Sequence, residues 1–199
     1  MSHYDYIIVG AGSAGCVLAN RLSVNPDIRV CLLEAGGSNR SPLLHVPAGW
    51  AATFNNPSFD WSFETEPEPA LDSRRIYWPR GKSLGGSSAI NGMIYVRGVP
   101  LDFAAWEQAG ATGWSWEEVL PYYKKAERQQ IQHDDMHRTD GPLHVTRGPR
   151  DNPLHDAFVT AATEAGYMAV DDYNGYRQEG FGAADMTVWS CLLYTSDAA

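Results

Sequence analysis

The chain has 199 residues, of which 44% are hydrophobic and 20% charged, so it can bury a core and is not expected to be disordered. With 15 Lys and Arg against 24 Asp and Glu, the net charge is −9, which excludes nucleic acid and anionic membrane surfaces as expected partners. No apolar run approaches the roughly 18 residues of a membrane span, so we expect no transmembrane segment.

A strand, a helix and a second strand are predicted within residues 4–33. Residues 4–9, "YDYIIV", are β-branched and aromatic and end at a glycine, which is typical of a short buried strand. Residues 14–25 carry apolar positions at helical spacing and stop before Pro26, and residues 28–33, "IRVCLL", are again apolar. This order predicts a right-handed βαβ unit with parallel strands, and therefore an α/β fold.

A glycine motif joins the first strand to the helix. In "GAGSAG", Gly10, Gly12 and Gly15 form the pattern G-x-G-x-x-G, which allows a tight turn, close approach of a pyrophosphate and close helix packing. Glu34 ends the second strand about 20 residues later, where a carboxylate can bind ribose hydroxyls and would repel a 2′-phosphate. The segment predicts a Rossmann-like site for FAD or NAD rather than NADP.

Residues 36–80 lose this regularity. They are rich in proline and aromatic residues, with one extended piece expected in "DWSFETEPEP", residues 60–69. A long irregular segment inside a compact domain usually has a functional reason, such as a lid or an arm over a cofactor. A surface excursion packed by its own Trp and Phe side chains is the alternative.

A second glycine-rich stretch, "GKSLGGSSAINGMIY", covers residues 81–95. A phosphate-binding P-loop is excluded because Ile76 stands where its first glycine would be, and a flexible linker because the stretch continues into apolar residues. We predict a second backbone surface against the same ligand, with close approach at Gly86. A helix over residues 87–94 would place Asn91 one turn beyond Ser87.

Two later helices have clear start signals. Ser115 and Glu118 form a capping-box pair for a helix over residues 116–128, in which Pro121 predicts a kink. Asn152 and Pro153 start a helix that ends at Gly166. One apolar stripe runs along this helix; it comprises Leu154, Ala157, Phe158, Ala161, Ala162 and Ala165.

The second stretch also carries a family resemblance. "GKSLGGSSAINGMIYVRG", residues 81–98, resembles the signature of the glucose–methanol–choline (GMC) oxidoreductases. "DYIIVGAGSAG" and "LLEAGG" near the start extend the match, as do "DWSFETEPEP", "LPYYKKAE" and "NGYRQEGFG" further on. The resemblance covers residues 4 to about 189 and is greatest to the choline dehydrogenase and related alcohol dehydrogenase branch.

The resemblance implies an FAD enzyme that oxidises an alcohol by hydride transfer to flavin. Ile90 stands where some members attach FAD through histidine, so no such bond is expected. The implied cofactor-binding residues are Gly10, Gly12, Ser13, Ala14, Gly15, Glu34, Ala35, Gly86, Ser87, Asn91, Gly92 and Ile94.

No catalytic base is expected in this chain. Alcohol oxidation needs a group that takes the hydroxyl proton, and none of the six histidines lies in a recognisable catalytic context. In the family, that histidine and its partner lie near the C-terminus of a longer chain. His133 and His137, with Asp134 and Asp135, are interpreted as a solvated polar loop rather than a metal site.

The chain is therefore expected to be an N-terminal fragment without turnover. Residues 1–150 are assigned to an incomplete FAD-binding domain with a lid-like insertion at 36–80, and residues 151–189 to the start of an α+β substrate domain. Residues 190–199, "SCLLYTSDAA", depart from the family pattern and are interpreted as a foreign tail.

The expected parent enzyme oxidises a primary alcohol, choline-like or aliphatic, and its electron acceptor is not predicted. An NAD-dependent Rossmann enzyme and a non-catalytic nucleotide-binding module are the alternatives. Cys16, Cys31 and Cys191 do not form a disulfide framework. Cys16 and Cys31 are expected to be buried thiols, and the protein is expected to be cytoplasmic.

Overall fold

The computed structural model describes residues 3–131, 134–189 and 192–193. It divides into two compact units, the first ending at Met93 and the second formed by Ile94–Trp189. From the sequence, residues 1–150 are assigned to the FAD-binding domain and residues 151–189 to the start of the substrate domain, and this assignment stays a prediction. Most of the tail interpreted as foreign lies outside the described residues.

The first unit begins with the predicted βαβ arrangement. Strands β1 (Tyr6–Val9) and β2 (Val30–Leu33) are parallel, with Tyr6 opposite Val30 and Val9 opposite Leu33, and helix α1 (Ser13–Leu22) connects them. The helix ends three residues earlier than predicted, where the N–H of Ser23 bonds to the carbonyl of Ala19. The α/β prediction is confirmed.

The irregular segment contains short 3₁₀ helices and one strand pair. Proline opens three of these helices, Pro42–Leu44, Pro47–Thr53 and Pro69–Leu71, because its fixed φ suits a first helical position and its missing N–H costs nothing there. Strands β3 (Phe63–Glu64) and β4 (Tyr77–Trp78) pair antiparallel. β3 lies inside the piece that was predicted to be extended.

The predicted helix over residues 87–94 is wrong. A 3₁₀ helix spans Gly86–Ala89, and strand β5 (Ile94–Tyr95) follows. Between them the side chain of Asn91 accepts a hydrogen bond from the N–H of Met93 at 2.9 Å, and Met93 has a left-handed φ of +65°. An asparagine that bonds to nearby backbone offers the chain an alternative to helix, and that alternative prevails here.

The second unit is built on a four-stranded sheet. Its strand order is β5–β8–β7–β6, in which β8 runs antiparallel to both neighbours and β7 runs parallel to β6. The helices are α2 (Pro100–Gln108), α3 (Trp116–Ala126) and α4 (Pro153–Glu164). The other strands are β6 (Glu127–Gln129), β7 (Leu143–Arg147), β8 (Asp185–Met186), β9 (Val188–Trp189) and β10 (Leu192–Leu193), the last of these outside the second unit.

Helix α3 starts as predicted, with both bonds of the capping box present. The N–H of Glu118 donates to Ser115 Oγ at 3.4 Å, and the N–H of Ser115 donates to Glu118 Oε2 at 3.2 Å. The helix ends at Ala126 instead of residue 128, because Glu127 begins β6.

We expect Ser115→Ala to lower the stability of the second unit by about 1 kcal/mol, because an N–H at the start of α3 loses its acceptor. Thermal unfolding followed by circular dichroism measures the change. Thr163→Ala is the matched control, since its exposed hydroxyl bonds to the carbonyl of Thr160 within α4. An S115A melting temperature as high as that of T163A would contradict the prediction.

Helix α4 starts at the predicted cap, where Asn152 Oδ1 accepts a bond from the N–H of Leu154 at 3.0 Å. Its apolar stripe is largely exposed in the structure. Ala162 is buried, whereas Leu154 is 74% and Phe158 63% exposed. Among the residues that the structure describes, no helix is long and apolar enough to cross a bilayer.

Candidate functional site

A cavity of about 590 Å³ lies in the first unit, at the point where β1 and β2 end. Both glycine stretches and the irregular segment contribute to its walls. The lining residues are Val9, Gly10, Gly12, Leu33, Glu34, Ala35, Trp61, Phe63, Arg80, Gly81, Gly86 and Ser87. Six of these belong to the predicted cofactor set, namely Gly10, Gly12, Glu34, Ala35, Gly86 and Ser87.

The two glycine stretches are in direct backbone contact. The N–H of Gly85 donates to the carbonyl of Ala11 at 2.8 Å, and Gly12 and Gly85 form an isolated parallel bridge. A Cβ on Gly86 would lie 2.8 Å from the Cα of Gly12, and Gly86 has a left-handed φ of +57°. Gly86 is therefore required by packing and by conformation, and the second stretch forms one surface with the first.

Gly12 differs, because neither packing nor backbone conformation requires a glycine there. Its φ of −79° and ψ of −172° suit any residue, and a Cβ would meet only the Cα of Gly86, at 3.9 Å. The missing side chain instead leaves space beside the cavity. Glycine is a favourable N-cap, and at this position it also leaves room for close approach of a ligand to the backbone.

The N-terminus of α1 at the cavity has no anionic side chain of its own. Its N-cap is Gly12, which has no side chain to accept a bond, and no acidic residue occupies the first turn. The helix dipole and the N–H groups of a first turn attract anions. Ser13, Ala14 and Gly15 belong to this first turn but are not part of the cavity lining.

Glu34 lines the cavity with both carboxylate oxygens bonded to the backbone. Oε2 accepts the N–H of Ala11 at 2.7 Å, and Oε1 accepts the N–H of Gly36 at 2.8 Å. Each carboxylate oxygen can accept a second bond, so these contacts fix the side chain and leave it able to accept from a hydroxyl. Its predicted role toward ribose stays a prediction.

The remaining predicted residues are not all brought to the cavity. Ser87 lines it, and its Oγ accepts the N–H of Gly81 at 3.1 Å. Asn91 and Gly92 are exposed and are not part of the lining, and Ile94 begins β5 in the second unit. The helical argument that placed Asn91 on the face of Ser87 does not hold, since that helix is absent.

The sequence of residues 36–80 allows an arm over a cofactor as one interpretation, but it identified none of the residues of one wall of the cavity, which we call the 61–81 wall. It consists of Trp61, Phe63, Arg80 and Gly81 from the irregular segment and its end. The sequence shows that this segment is rich in aromatic residues, but no local periodicity indicates that Trp61, Phe63 and Arg80 would lie beside the ends of β1 and β2.

A second group of polar residues lies in the second unit around His137. Its Nδ1 lies 3.1 Å from a Glu127 oxygen, and its Nε2 lies 2.9 Å from Asp172 Oδ2. Glu127 also accepts a bond from the guanidinium of Arg97 at 2.7 Å. The side chains of Arg97, Glu127 and His137 are all fully buried. The interpretation of His137 as part of a solvated loop is wrong; His133 lies outside the described residues.

The charge of His137 follows from this setting. Burial alone would lower its pKa, but the bonds to Asp172 and Glu127 outweigh burial and raise the pKa to about 9. Ligand atoms of Asp134, His137 and Asp172 lie within 4.8 Å of one another. A protonated imidazole has no lone pair for a cation, so the arrangement favours an ion-pair network, and the absence of a metal stays a prediction.

Comparison with known proteins gives a family match over almost the whole chain. The sequence profile of the family described as GMC oxidoreductase matches residues 4–190. The chain belongs to the GMC oxidoreductase family.

Among curated members of this family, the oxygen-dependent choline dehydrogenase of Vibrio vulnificus is 53% identical over 188 residues, which are 94% of this chain and 34% of that protein. The mitochondrial choline dehydrogenase of Mus musculus is 48% identical over 192 residues, covering 93% of this chain and 32% of that protein. This GMC chain therefore spans about a third of the length of the curated relatives it matches.

Solved structures show the same fold. Pyridoxine 4-oxidase from "Mesorbium loti" superposes with a TM-score of 0.91 at 36% identity, over 98% of this chain and 39% of that chain. A formate oxidase superposes with a TM-score of 0.87 at 27% identity, over 99% of this chain and 36% of that chain. The fold of this GMC chain is thus shared with larger proteins named as oxidases.

Proposed function

We propose that the cavity of the first unit binds the pyrophosphate and ribose of FAD. The observation that carries this proposal is Gly12, a glycine that neither packing nor conformation of the protein explains. The chain's residues fit the cofactor, since Gly12 leaves space, the start of α1 attracts phosphate charge, and Glu34 can accept hydroxyl bonds. Membership of the GMC family supports FAD over NAD.

We further propose that a protein of the relatives' length containing this chain oxidises a primary alcohol such as choline. When bound, FAD would accept a hydride from the alcohol carbon. The residues of this chain would hold the cofactor at its phosphates and ribose. Ser87, whose Oγ accepts the N–H of Gly81, would lie beside the cofactor. The choline dehydrogenases among the relatives support the choline-like substrate.

No residue of this chain is assigned as the base that takes the hydroxyl proton. Both nitrogens of His137 are bonded to carboxylates, and its place in a buried ion-pair network supports a structural role. We also propose three assignments that rest on the sequence. They are an FAD-binding domain that ends at residue 150, the start of a substrate domain beyond it, and a cytoplasmic location.

Titration of the chain with FAD and with NAD tests the cofactor. We expect FAD to bind at least about tenfold more tightly than NAD, a difference of about 1.4 kcal/mol in binding free energy. Quenching of flavin fluorescence measures FAD binding, and calorimetry measures the binding of both ligands. Tighter binding of NAD would support the alternative of an NAD-dependent Rossmann enzyme.

Turnover is tested by adding choline under anaerobic conditions. Choline should bleach the flavin absorbance of a protein of the relatives' length and leave the flavin absorbance of the isolated chain unchanged.

A further inference from the structure

The 61–81 wall presents groups that complement a dinucleotide. The rings of Trp61 and Phe63 are stacked, with centroids 5.9 Å apart and planes 5° from parallel. The Nζ of Lys82 lies over the Trp61 ring, 4.8 Å from its centroid, which places a positive charge at one face of the ring. Arg80 also lines the cavity; its guanidinium lies over the Trp78 ring, 5.3 Å from the centroid, and donates from Nη1 to the carbonyl of Pro79 at 2.7 Å. A guanidinium pairs well with phosphate oxygens, and one held beside this cavity adds positive charge to the wall.

Little apolar burial holds this wall in place. Its strands β3 and β4 have two residues each, and the side chains of Phe63 and Trp78 are about half exposed. Two main-chain hydrogen bonds join the segment around residue 61 to the segment around residue 81. The N–H of Trp61 donates to the carbonyl of Arg80 at 2.9 Å, and the N–H of Lys82 donates to the carbonyl of Phe59 at 2.7 Å. A short ribbon of this kind is marginally stable without further support.

The further support is the carboxylate of Asp60, which is 2% exposed. Its Oδ1 accepts the N–H of Arg80 at 2.9 Å and the N–H of Ser62 at 3.0 Å. Its Oδ2 accepts the N–H of Asn55 at 3.0 Å and the hydroxyl of Tyr77. One buried side chain thus joins both strands of the wall to the loop that precedes them.

Two of these bonds hold backbone that is strained. Asn55 has a φ of +54° and Ser62 a φ of +51°, in the left-handed region that residues other than glycine rarely adopt; asparagine tolerates it better than serine does. Such conformations cost roughly 1 kcal/mol or more each and persist where the surroundings enforce them. Asp60 accepts the N–H of both residues, so it stabilises the strained turns that lead into Trp61 and out of it.

The charge of Asp60 suits this role. Burial alone would raise its pKa, but the bonds from Tyr77 and from the three backbone amides outweigh burial and hold the pKa below its ordinary value. An ionised carboxylate accepts four such bonds, which a neutral amide of the same size cannot do.

We propose that Asp60 is a positioning residue for the dinucleotide cavity. It acts through the backbone of Ser62 and Arg80, and it fixes the positions of Trp61 and Arg80, which line the cavity that would hold FAD. This inference rests on the proposed function, because it takes FAD as the occupant of the cavity.

Asp60→Asn in the full chain tests the inference. The variant keeps the size of the side chain and puts an amide NH₂ where Asp60 accepts bonds, so we expect FAD to bind at least about tenfold more weakly. We also expect a changed visible circular-dichroism spectrum of FAD at saturation, since that spectrum reports the surroundings of the bound cofactor. A residue that only stabilised the fold would leave the saturated spectrum unchanged.

Two further variants keep the test decisive. Tyr77→Phe removes one donor to Asp60 and keeps the ring, so a smaller loss of affinity and the same spectral change are expected even if D60N does not fold. Asn56→Ala removes a bond to the N–H of Ser58 in the same segment, away from the cavity lining, and should leave both readouts unchanged.

Folded D60N with the affinity and spectrum of the wild type would overturn the inference and leave the proposed function intact. If D60N does not fold, a Y77F chain with wild-type affinity and spectrum would overturn it in the same way. A wild-type chain that does not bind FAD would contradict the proposed function itself, and with it this inference.

Discussion

Gly12→Ala is expected to weaken FAD binding by about 100-fold, or roughly 3 kcal/mol, without unfolding the protein. The added methyl group would occupy the space beside the cavity that a pyrophosphate needs for close contact with the backbone. Within the protein the nearest atom to that methyl group lies 3.9 Å away, which is ordinary van der Waals contact, so stability should change by no more than about 1 kcal/mol. Fluorescence titration with FAD and thermal unfolding without it measure the two effects.

Gly15→Ala is the matched control, because it makes the same chemical change three residues along the motif. A Cβ there would lie 1.9 Å from the carbonyl oxygen of Gly10 and 3.4 Å from Cγ2 of Ile8. The backbone would have to move, so we expect the first unit to lose about 2–3 kcal/mol of stability. If G12A lowered the melting temperature as much as G15A and bound FAD normally, Gly12 would be a packing glycine and the cofactor proposal would lose its main support.

His137→Gln is expected to destabilise the second unit by about 3 kcal/mol at neutral pH, because it removes a buried cation that bonds to both Glu127 and Asp172. Glu127 would keep Arg97, but the contact at 2.9 Å between His137 Nε2 and Asp172 would be lost. Hydrogen exchange of the β6, β7 and β8 amides, read at the level of individual peptides, measures the loss in this unit alone.

The dependence of this effect on pH follows from the direction of the pKa shift. The folded pKa of His137 is raised to about 9, so its contribution is complete below its unfolded pKa and disappears as the pH rises through 9. H137Q should therefore be less stable than the wild type at pH 7, and the difference should shrink above pH 9. A difference that stayed constant from pH 7 to pH 10 would contradict a charged His137.

Asp172 sets the limit on the acid side. Burial alone would raise its pKa, but the bonds from His137 and from the N–H of Asn174 hold the pKa below its ordinary value. A carboxyl with a lowered pKa stabilises the fold above its unfolded pKa, and that contribution is lost as the pH falls through the folded value. The second unit should therefore be most stable between the acid range and pH 9.

Arg138→Ala is the control for the His137 prediction. Arg138 pairs with Asp140 at 2.7 Å, but both side chains are more than half exposed. Exposed ion pairs contribute little because water screens the charges. We therefore expect R138A to lower the free energy of unfolding by less than about 1 kcal/mol, by the same amount below and above pH 9. A loss in R138A as large as that in H137Q would mean that burial does not distinguish the two ion pairs.

Several features were determined by the sequence alone because short-range patterns encode them. The two strands and α1 follow from β-branched runs, helical spacing and glycine punctuation, each within about ten residues. Gly10, Gly12 and Gly15 were placed correctly around the start of α1 for the same reason. The capping box at Ser115 was predicted from two residues on one turn, and both of its bonds are present.

Other features were decided only by the tertiary structure, because they depend on contacts between distant residues. Nothing in the sequence placed Trp61 and Arg80 beside Glu34. Asp60 and Tyr77 are 17 positions apart, and His137 and Asp172 are 35 apart. No periodicity reports such pairs, and both buried carboxylate networks became visible only when the chain was folded. The sequence alone could therefore predict a dinucleotide motif, and the fold was needed to find the wall that completes the cavity and the ions buried behind it.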